Sequence, residues 1–367
     1  MKIKVMRDHF VTALSIAVKA VTTKATMPIL SSVLIDASLE EIKITGNDLE
    51  LAIQTIVTGD ILEKGIIAID AKMLLDVIRK MPNDMVTLET DEAFNVHINC
   101  LKTRLDIAGK SGNEYPFIPI LEESQSFELS QKSLKEMIRY TMIAISNDTS
   151  NKIMTGAHMK TEEGNMWMTA LDGHRIARRH LSIEDKSINS DLIIPGKSLA
   201  EISKVLKDDD TSIVTISFSK NHISFELGET MIVSRLIEGM YLKVDKIINA
   251  EYKLRVEMDR KQFLESIDRA TLLVNDAGGR PLILSFEDMM LNLEMVSKIG
   301  TLNESILIQK DGENLKIGFN PRLIADALKI MNDDTIIMYL NTKSTPAIIE
   351  DVGSTYKYFV LPVNIRE

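Results

Sequence analysis

Apolar residues recur along this chain in two alternating periods. Ile3 and Val5 are separated by one polar position, as on a strand with one buried face, and Phe10 and Leu14 follow five and nine residues after Val5, at helix spacing. The same figure returns as Phe127, Leu129, Leu134 and Ile138, and again as Val256, Met258, Phe263 and Ile267. A second figure runs through IDAKMLLDVIRKM from Ile69, IPGKSLAEISKVL from Ile194 and FNPRLIADALKIM from Phe319. It sets Lys72, Lys197 and Arg322 in one column 125 residues apart, with Leu74, Leu199 and Ile324 in a second and Asp76, Glu201 and Asp326 in a third. Three columns in one register mark an internal repeat of about 125 residues.

Each repeat holds two strand-to-helix passages, which predicts six helices at 7–20, 71–80, 131–145, 197–207, 260–273 and 321–331. Asp8, Ser130 and Asp259 stand where N-caps would fall. Runs such as SSVLIDASLEEIKITG and SIVTISFSKNHISFELG alternate with period two and break at polar or glycine turns, as antiparallel hairpins do. The expected fold class is α+β: three similar domains at 1–122, 123–247 and 248–367, each with two helices packed on antiparallel sheets. The joins are expected in PILEESQ (119–125) and VDKIINAEY (244–252).

Composition narrows the classes. At 367 residues, 45% hydrophobic and 26% charged, the chain reads as an ordinary globular protein. No run of 18 apolar residues suggests a membrane span, and the start, MKIKVMRDHF, lacks the apolar core of a signal peptide. Cys100 is the only cysteine, so no internal disulfide can form, and its alternating context reads as a small buried hydrophobe. A cytoplasmic protein is the expectation.

A net charge of −10 argues against a nucleic-acid partner only while its distribution is ignored. The six predicted helices carry 16 Lys and Arg against 7 Asp and Glu, a net of +9 that leaves −19 on the remainder. Each helix is net positive. A charged helix face is ordinarily just a solvated face, but six related faces of one sign suit a basic surface that meets a polyanion. Aromatics are 5% of the chain with one tryptophan, and no helix-turn-helix or zinc-finger spacing is present, so any such contact would ignore sequence.

The candidate for chemistry is TALDGHRIARRHL, Thr169–Leu181, where Asp172, Gly173, His174, Arg175 and Arg178 crowd together. A metal-dependent hydrolase using Asp172 and His174 is the enzymatic alternative. Against it, the six histidines form no HxH or HExxH, and no nucleophile elbow or P-loop occurs. The expectation is a non-enzymatic protein with no catalytic residues, metal or cofactor.

MPILSSVLI (27–35), TGNDLEL (45–51), the Tyr115-Pro116 region, LDGHRIA (171–177), LIEG (236–239), IGFNP (317–321), IIED (348–351) and YFVLPV (358–363) together resemble the DNA polymerase III beta subunit family over essentially the full length. The resemblance implies a clamp fold closing as a head-to-tail homodimeric ring around double-stranded DNA, with helices lining the hole. It implies a non-catalytic subunit of the polymerase holoenzyme, associated with the nucleoid during replication. Its partners would be the replicative polymerase alpha subunit, the clamp loader, and other polymerases and repair proteins with a clamp-binding motif; a membrane is not among them. DNA contacts would fall to Lys24, Lys72, Arg79, Lys132, Arg139, Lys152, Lys197, Lys204, Arg269 and Arg322. A partner-peptide cleft would use Met154, Thr169, Gly173, His174, Arg175, Ile176, Leu242, Lys246, Ile247, Asn320, Leu323, Pro346, Val360, Leu361, Pro362 and Val363. On that reading His174 orients the turn and Arg175 lines the cleft. Leu171, Leu242, Lys246, Gly278 and Leu323 depart from the residues common in the family.

Overall fold

The computed structural model describes residues 1–22, 27–119, 121, 124–244, 252–274 and 281–365. The chain divides into two compact units, Met1–Leu134 with Lys197–Leu236, and Lys135–Gly196 with Ile237–Glu367. Both proposed joins lie partly outside the described residues. Six α-helices occur among the described residues: α1 (Arg7–Ala17), α2 (Ala71–Lys80), α3 (Gln131–Met142), α4 (Gly196–Ser203), α5 (Arg260–Thr271) and α6 (Pro321–Ile330). They fall where the periodicity places them. α1 ends early because the chain tightens into a 3-10 turn at Val18–Ala20, and α4 ends in i→i+3 bonds from Lys204 and Val205.

The columns that define the repeat are the columns that pack. Ile3, Val5, Phe10 and Leu14, with their counterparts in the later repeats, are all buried, as are Leu74, Leu199 and Ile324. Cys100 is buried too, on the strand Asn95–Cys100, and burial pushes its thiol pKa up. The caps are partly as expected. Ser130 Oγ accepts from the Ser133 amide at 3.1 Å, and Asp259 accepts from Gln262 at 2.6 Å. Asp8 is not a cap. Strand Lys2–Met6 runs straight into α1, so Met6 occupies the cap position and Asp8 falls in the first turn, paired with Arg7 at 2.7 Å. Asp70 and Asn320 cap α2 and α6 through their side chains.

All sheets are antiparallel, and two of them cross repeat boundaries. In the first unit thirteen strands run in the order Gln125–Ser130, Ile213–Phe218, His222–Leu227, Thr230–Arg235, Leu51–Val57, Ile42–Asn47, Ser32–Asp36, Ile66–Asp70, Thr103–Ser111, Asn95–Cys100, Met85–Thr90, Lys2–Met6, Gly59–Glu63. The middle repeat joins the first where Thr230–Ser234 pair with Thr55–Leu51. In the second unit nine strands run Ser190–Pro195, Gly156–Glu162, Asn165–Leu171, Arg175–Ser182, Tyr356–Val360, Ala347–Asp351, Thr335–Leu340, Leu254–Asp259, Gln309–Gly312. There the middle repeat joins the last where Arg175–Arg179 pair with Val360–Tyr356. A four-stranded sheet (Thr301–Leu307, Met290–Val296, Leu282–Glu287, Leu315–Phe319) completes this unit. The middle repeat therefore contributes strands to both units.

Helices cover one sheet face closely. Gly46 lies under α1, and a Cβ there would sit 2.0 Å from the Ala17 carbonyl oxygen. Gly46→Ala is therefore expected to push α1 off its sheet and cost about 1–3 kcal/mol, read as a lower urea midpoint for the first unit.

Candidate partner-binding site

The site is built on the strand Asn165–Leu171, the turn Asp172–His174 and the strand Arg175–Ser182, all in the second unit. Asp172 organises the turn. Its Oδ1 accepts from the amides of His174 at 3.0 Å and Arg175 at 3.2 Å, and its Oδ2 accepts from Arg175 Nε at 2.8 Å. This is an aspartate bonding the backbone just ahead of it, a standard turn device. Gly173 supplies φ +89°, and nothing lies within 4 Å of the position a Cβ would take. The glycine is required for conformation and not for space.

The role expected of the His174 side chain is corrected here, and Arg175 carries a structural task. Arg175 braces the site from behind: its Nη1 donates to Asp326 Oδ2 on α6 at 2.6 Å and to the Tyr358 hydroxyl at 3.4 Å. Its side chain is 14% exposed. Burial works against the Arg175 charge, but Tyr358, Asp326 and Asp172 outweigh it and hold the guanidinium pKa above its ordinary value. The His174 side chain does not orient the turn. It is exposed and makes no hydrogen bond among the described residues; the main-chain carbonyl is the part used, accepting from the Leu361 amide at 2.9 Å. With both Asp172 oxygens committed to the turn and Arg175, no acid–imidazole pair is assembled, and the hydrolase reading has no geometry behind it.

The Leu361 bond brings the chain's last residues to the turn. Val360 lies opposite both Arg175 and Ala347, Pro346 immediately precedes that strand, and the Val363 amide donates to the Gly318 carbonyl at 2.8 Å. Tyr358 donates to the Leu323 carbonyl at 2.7 Å, tying α6 to the same strand. Asn320 caps α6 through its side chain. Thr169 is buried on the central strand, opposite His158 and Arg178.

Beside the turn, Leu171, Ile193, Ile237, Tyr241 and Val244 form one apolar cluster, with Ile153, Met154 and Ile176 packed on it. Tyr241 stacks on His158 at 5.0 Å and donates to the Gly156 carbonyl at 3.4 Å. Leu242, Leu361 and Val363 stay 55%, 41% and 41% exposed, a high value for aliphatic side chains. Leu171 is one of the departures named from the sequence, whereas Tyr241 and Val244 of this cluster were not among the expected residues. Lys246 and Ile247, and Gly278 among the departures, lie outside the described residues.

The predicted DNA-side cations divide into two groups. Lys72, Arg79, Arg139, Lys152, Lys197, Lys204, Arg269 and Arg322 are exposed and Lys132 is half-buried; Lys24 lies outside the described residues. Lys132 pairs with Asp210 at 2.8 Å, Lys204 with Glu201 at 2.8 Å and Arg269 with Glu304 at 2.6 Å, and Lys197 pairs with Asp48. The Lys132–Asp210 pair, exposed on both sides, holds by about 0–1 kcal/mol and yields readily to another anion, whereas Asp48 is buried. Lys72, Arg139 and Lys152 make no ion pair among the described residues.

A repeat-built fold with a helix-covered sheet face and an apolar cluster beside an exposed turn has the make-up of a binding protein. Three family models match the chain: DNA polymerase III beta subunit N-terminal domain over 1–119, central domain over 128–243 and C-terminal domain over 245–364. The beta sliding clamp of Staphylococcus aureus is 32% identical over 374 residues, covering 99% of each chain. A crystal structure of a putative DNA polymerase III beta subunit from Eubacterium rectale matches with TM-score 0.96 and 41% identity over 99% of each chain. That of the Bacillus subtilis DNA polymerase sliding clamp matches with TM-score 0.96 and 29% identity over 100% of each chain. The chain belongs to the DNA polymerase III beta subunit family, the non-catalytic sliding clamps of DNA polymerase.

Gly173→Ala is expected to strain the turn by about 1 kcal/mol although its methyl group has room. The readout is amide exchange at Leu361, which should quicken about fivefold. Unchanged exchange would mean the turn tolerates a side chain.

Proposed function

We propose that this chain encircles duplex DNA as a head-to-tail homodimeric ring and tethers polymerases and their auxiliary factors through the cleft beside Asp172–His174. The observation that carries the reading is the Leu361–His174 main-chain bond. It sets exposed Leu242, Leu361 and Val363 in the same compact unit as an apolar floor of Met154, Ile176 and Leu171. A short peptide with apolar anchors fits that chemistry, with turn and tail backbone groups setting its direction. Met154, Thr169, Gly173, His174, Ile176, Leu242, Lys246, Ile247, Pro346, Val360, Leu361, Pro362 and Val363 are assigned to the cleft, with Arg175, Asn320 and Leu323 as its support. The partners are the polymerase alpha subunit, the clamp loader and repair proteins bearing a clamp-binding motif, and the setting is the cytoplasm, at the nucleoid. The three domains are 1–122, 123–247 and 248–367.

Ring closure supplies what local contact does not. A closed ring leaves DNA only by opening, so phosphate contacts can stay loose, and a tethered polymerase rebinds its primer end at high effective concentration. Two sheet edges suit closure: among the described residues Thr301–Leu307 is paired on one side only, with Met290–Val296, and Thr103–Ala108 only with Asn95–Cys100. Leu272 and Leu307 are 75% and 69% exposed, which suits burial by a second copy.

Three measurements test these assignments. Deleting 362–367 should weaken a fluorescent polymerase-derived peptide about tenfold in anisotropy while the dimer persists; unchanged affinity removes the cleft assignment. Replacing Lys72, Arg139 and Lys152 together with Ala should lower the salt slope of DNA retention by up to about three. An unchanged slope would take these cations off the DNA path. Sedimentation at micromolar concentration should show a dimer, and a monomer there counts against a stable ring.

A further inference from the structure

The first unit contains a second version of the device that frames the cleft, and its lining has different chemistry. In the second unit a row of residues crosses five strands on one sheet face: His158, Thr169, Arg178, Lys357, Glu350. In the first unit Leu34, Thr45, Gln54, Met231 and Glu226 form the same kind of row. Four of the five positions are offset by 124 residues, and Met231 by 126. Both rows cross the join between two repeats. At about 4.8 Å per strand, each is roughly 19 Å long.

The connecting segments are anchored alike. The Tyr241 hydroxyl donates to the Gly156 carbonyl, and that of Tyr115 donates to the Ser32 carbonyl at 3.0 Å; both tyrosines are buried. Tyr115 packs with Ile29, Leu30 and Ala68, as Tyr241 shares a cluster with Met154 and Ile193. This face is the one away from the helices, because Val33, Ile35, Ile67 and Ile69, which alternate with Leu34 and Ala68, belong to the core formed with α1 and α2.

Between the connector and the sheet the first unit holds a cavity of about 560 Å³, within the range that takes a side chain or a short peptide turn. Its walls include Leu34, Ile66, Ile118 and Met231, and at its rim Phe117 is 93% exposed. Where the second unit has Arg178 and Lys357, the first has neutral Gln54 and Met231. The charged groups lining the cavity, among the described residues, are two carboxylates, Asp36 and Glu226. Asp36 spends Oδ1 on the amide and hydroxyl of Ser38, while Glu226 is exposed and makes no hydrogen bond among the described residues.

We infer that this cavity is a second docking site, for a peptide segment that combines an apolar anchor with a lysine or arginine. The apolar anchor covers Phe117 and enters beside Leu34 and Met231; the cation meets Asp36 and Glu226. DNA is excluded by the same two carboxylates. The inference rests on the reading of the second unit's cleft as a peptide site, to which this cavity is related by the repeat.

Methionine methyl resonances separate the two sites, since Met231 lies in this cavity and Met154 in the cleft. The probes are the synthetic hexapeptide Lys-Leu-Lys-Leu-Phe-Lys and its counterpart with Glu for every Lys, added to full-length protein labelled at methionine methyls, with Met231→Leu assigning the signal. The lysine peptide is expected to move the Met231 signal saturably below about 1 mM, and the glutamate peptide is not. In the Asp36→Asn, Glu226→Gln double variant the Met231 response should weaken about fivefold or more, with the Met154 response unaltered. A Met231 signal that stays still, responds equally to both peptides, or ignores the double variant overturns the inference. A silent Met154 would speak against the cleft while leaving the Met231 result to stand by itself.

Discussion

The structure depends on main-chain pairing between strands of neighbouring repeats. Thr230–Ser234 pair with Thr55–Leu51 in one unit, and Arg175–Arg179 with Val360–Tyr356 in the other. These ladders make one sheet out of two repeats, and every outer-face feature follows from their register. A slip of one residue would turn Thr169 and Arg178 to the helix side and bring core residues out. The register is fixed by burial on the helix-covered face, where Ala177, Ile349, Tyr358 and Val360 are fully enclosed.

The site is thus a by-product of how the sheet is joined. Arg175 begins the joining strand, opposite Val360, and its side chain gathers Asp172, Asp326 and Tyr358 behind the turn. What a linear reading takes for catalytic equipment is a brace. A charge this enclosed is tolerated because each of its neighbours bonds it, and removing one partner would leave the rest exposed to the cost of an unpaired buried ion. The exposed groups near the turn include the aliphatic Leu242, Leu361 and Val363, which suit a site whose task is holding and not reaction.

The sequence carried the helices and the core more fully than the site. Helix positions were legible because the repeat supplies three independent samples of each pattern, so Phe10, Leu134 and Phe263 vouch for one another. The cap at Asp8 was misread because Met6 is the position that matches Ser130 and Asp259 in the repeat, and Asp8 lies two residues further on, inside the first turn. The role of His174 was misread because side-chain type was visible and direction was not. Asp172 bonds backward onto its own turn, and the useful atom of His174 is a carbonyl oxygen. Residues such as Tyr241 and Val244 join the cluster beside the turn only through a connector far away in the chain, which periodicity does not bring together. The row shared by Leu34, Thr45 and Gln54 with His158, Thr169 and Arg178 was present in the spacing, but its meaning required knowing which strands adjoin.

The charge pattern follows the same division of faces. Cations concentrate on helices, and several are held in ion pairs, whereas the outer connectors and hairpins are acidic. On the proposed reading such a surface holds DNA loosely, and retention comes from closure. The most direct test is to load the protein with its clamp loader onto nicked circular plasmid, raise the salt, and then cut the circle once. The account predicts that the protein stays on the circle through high-salt gel filtration and is lost when the DNA is linearised. Loss from the intact circle in salt, or equal retention on linear and circular DNA, would contradict it.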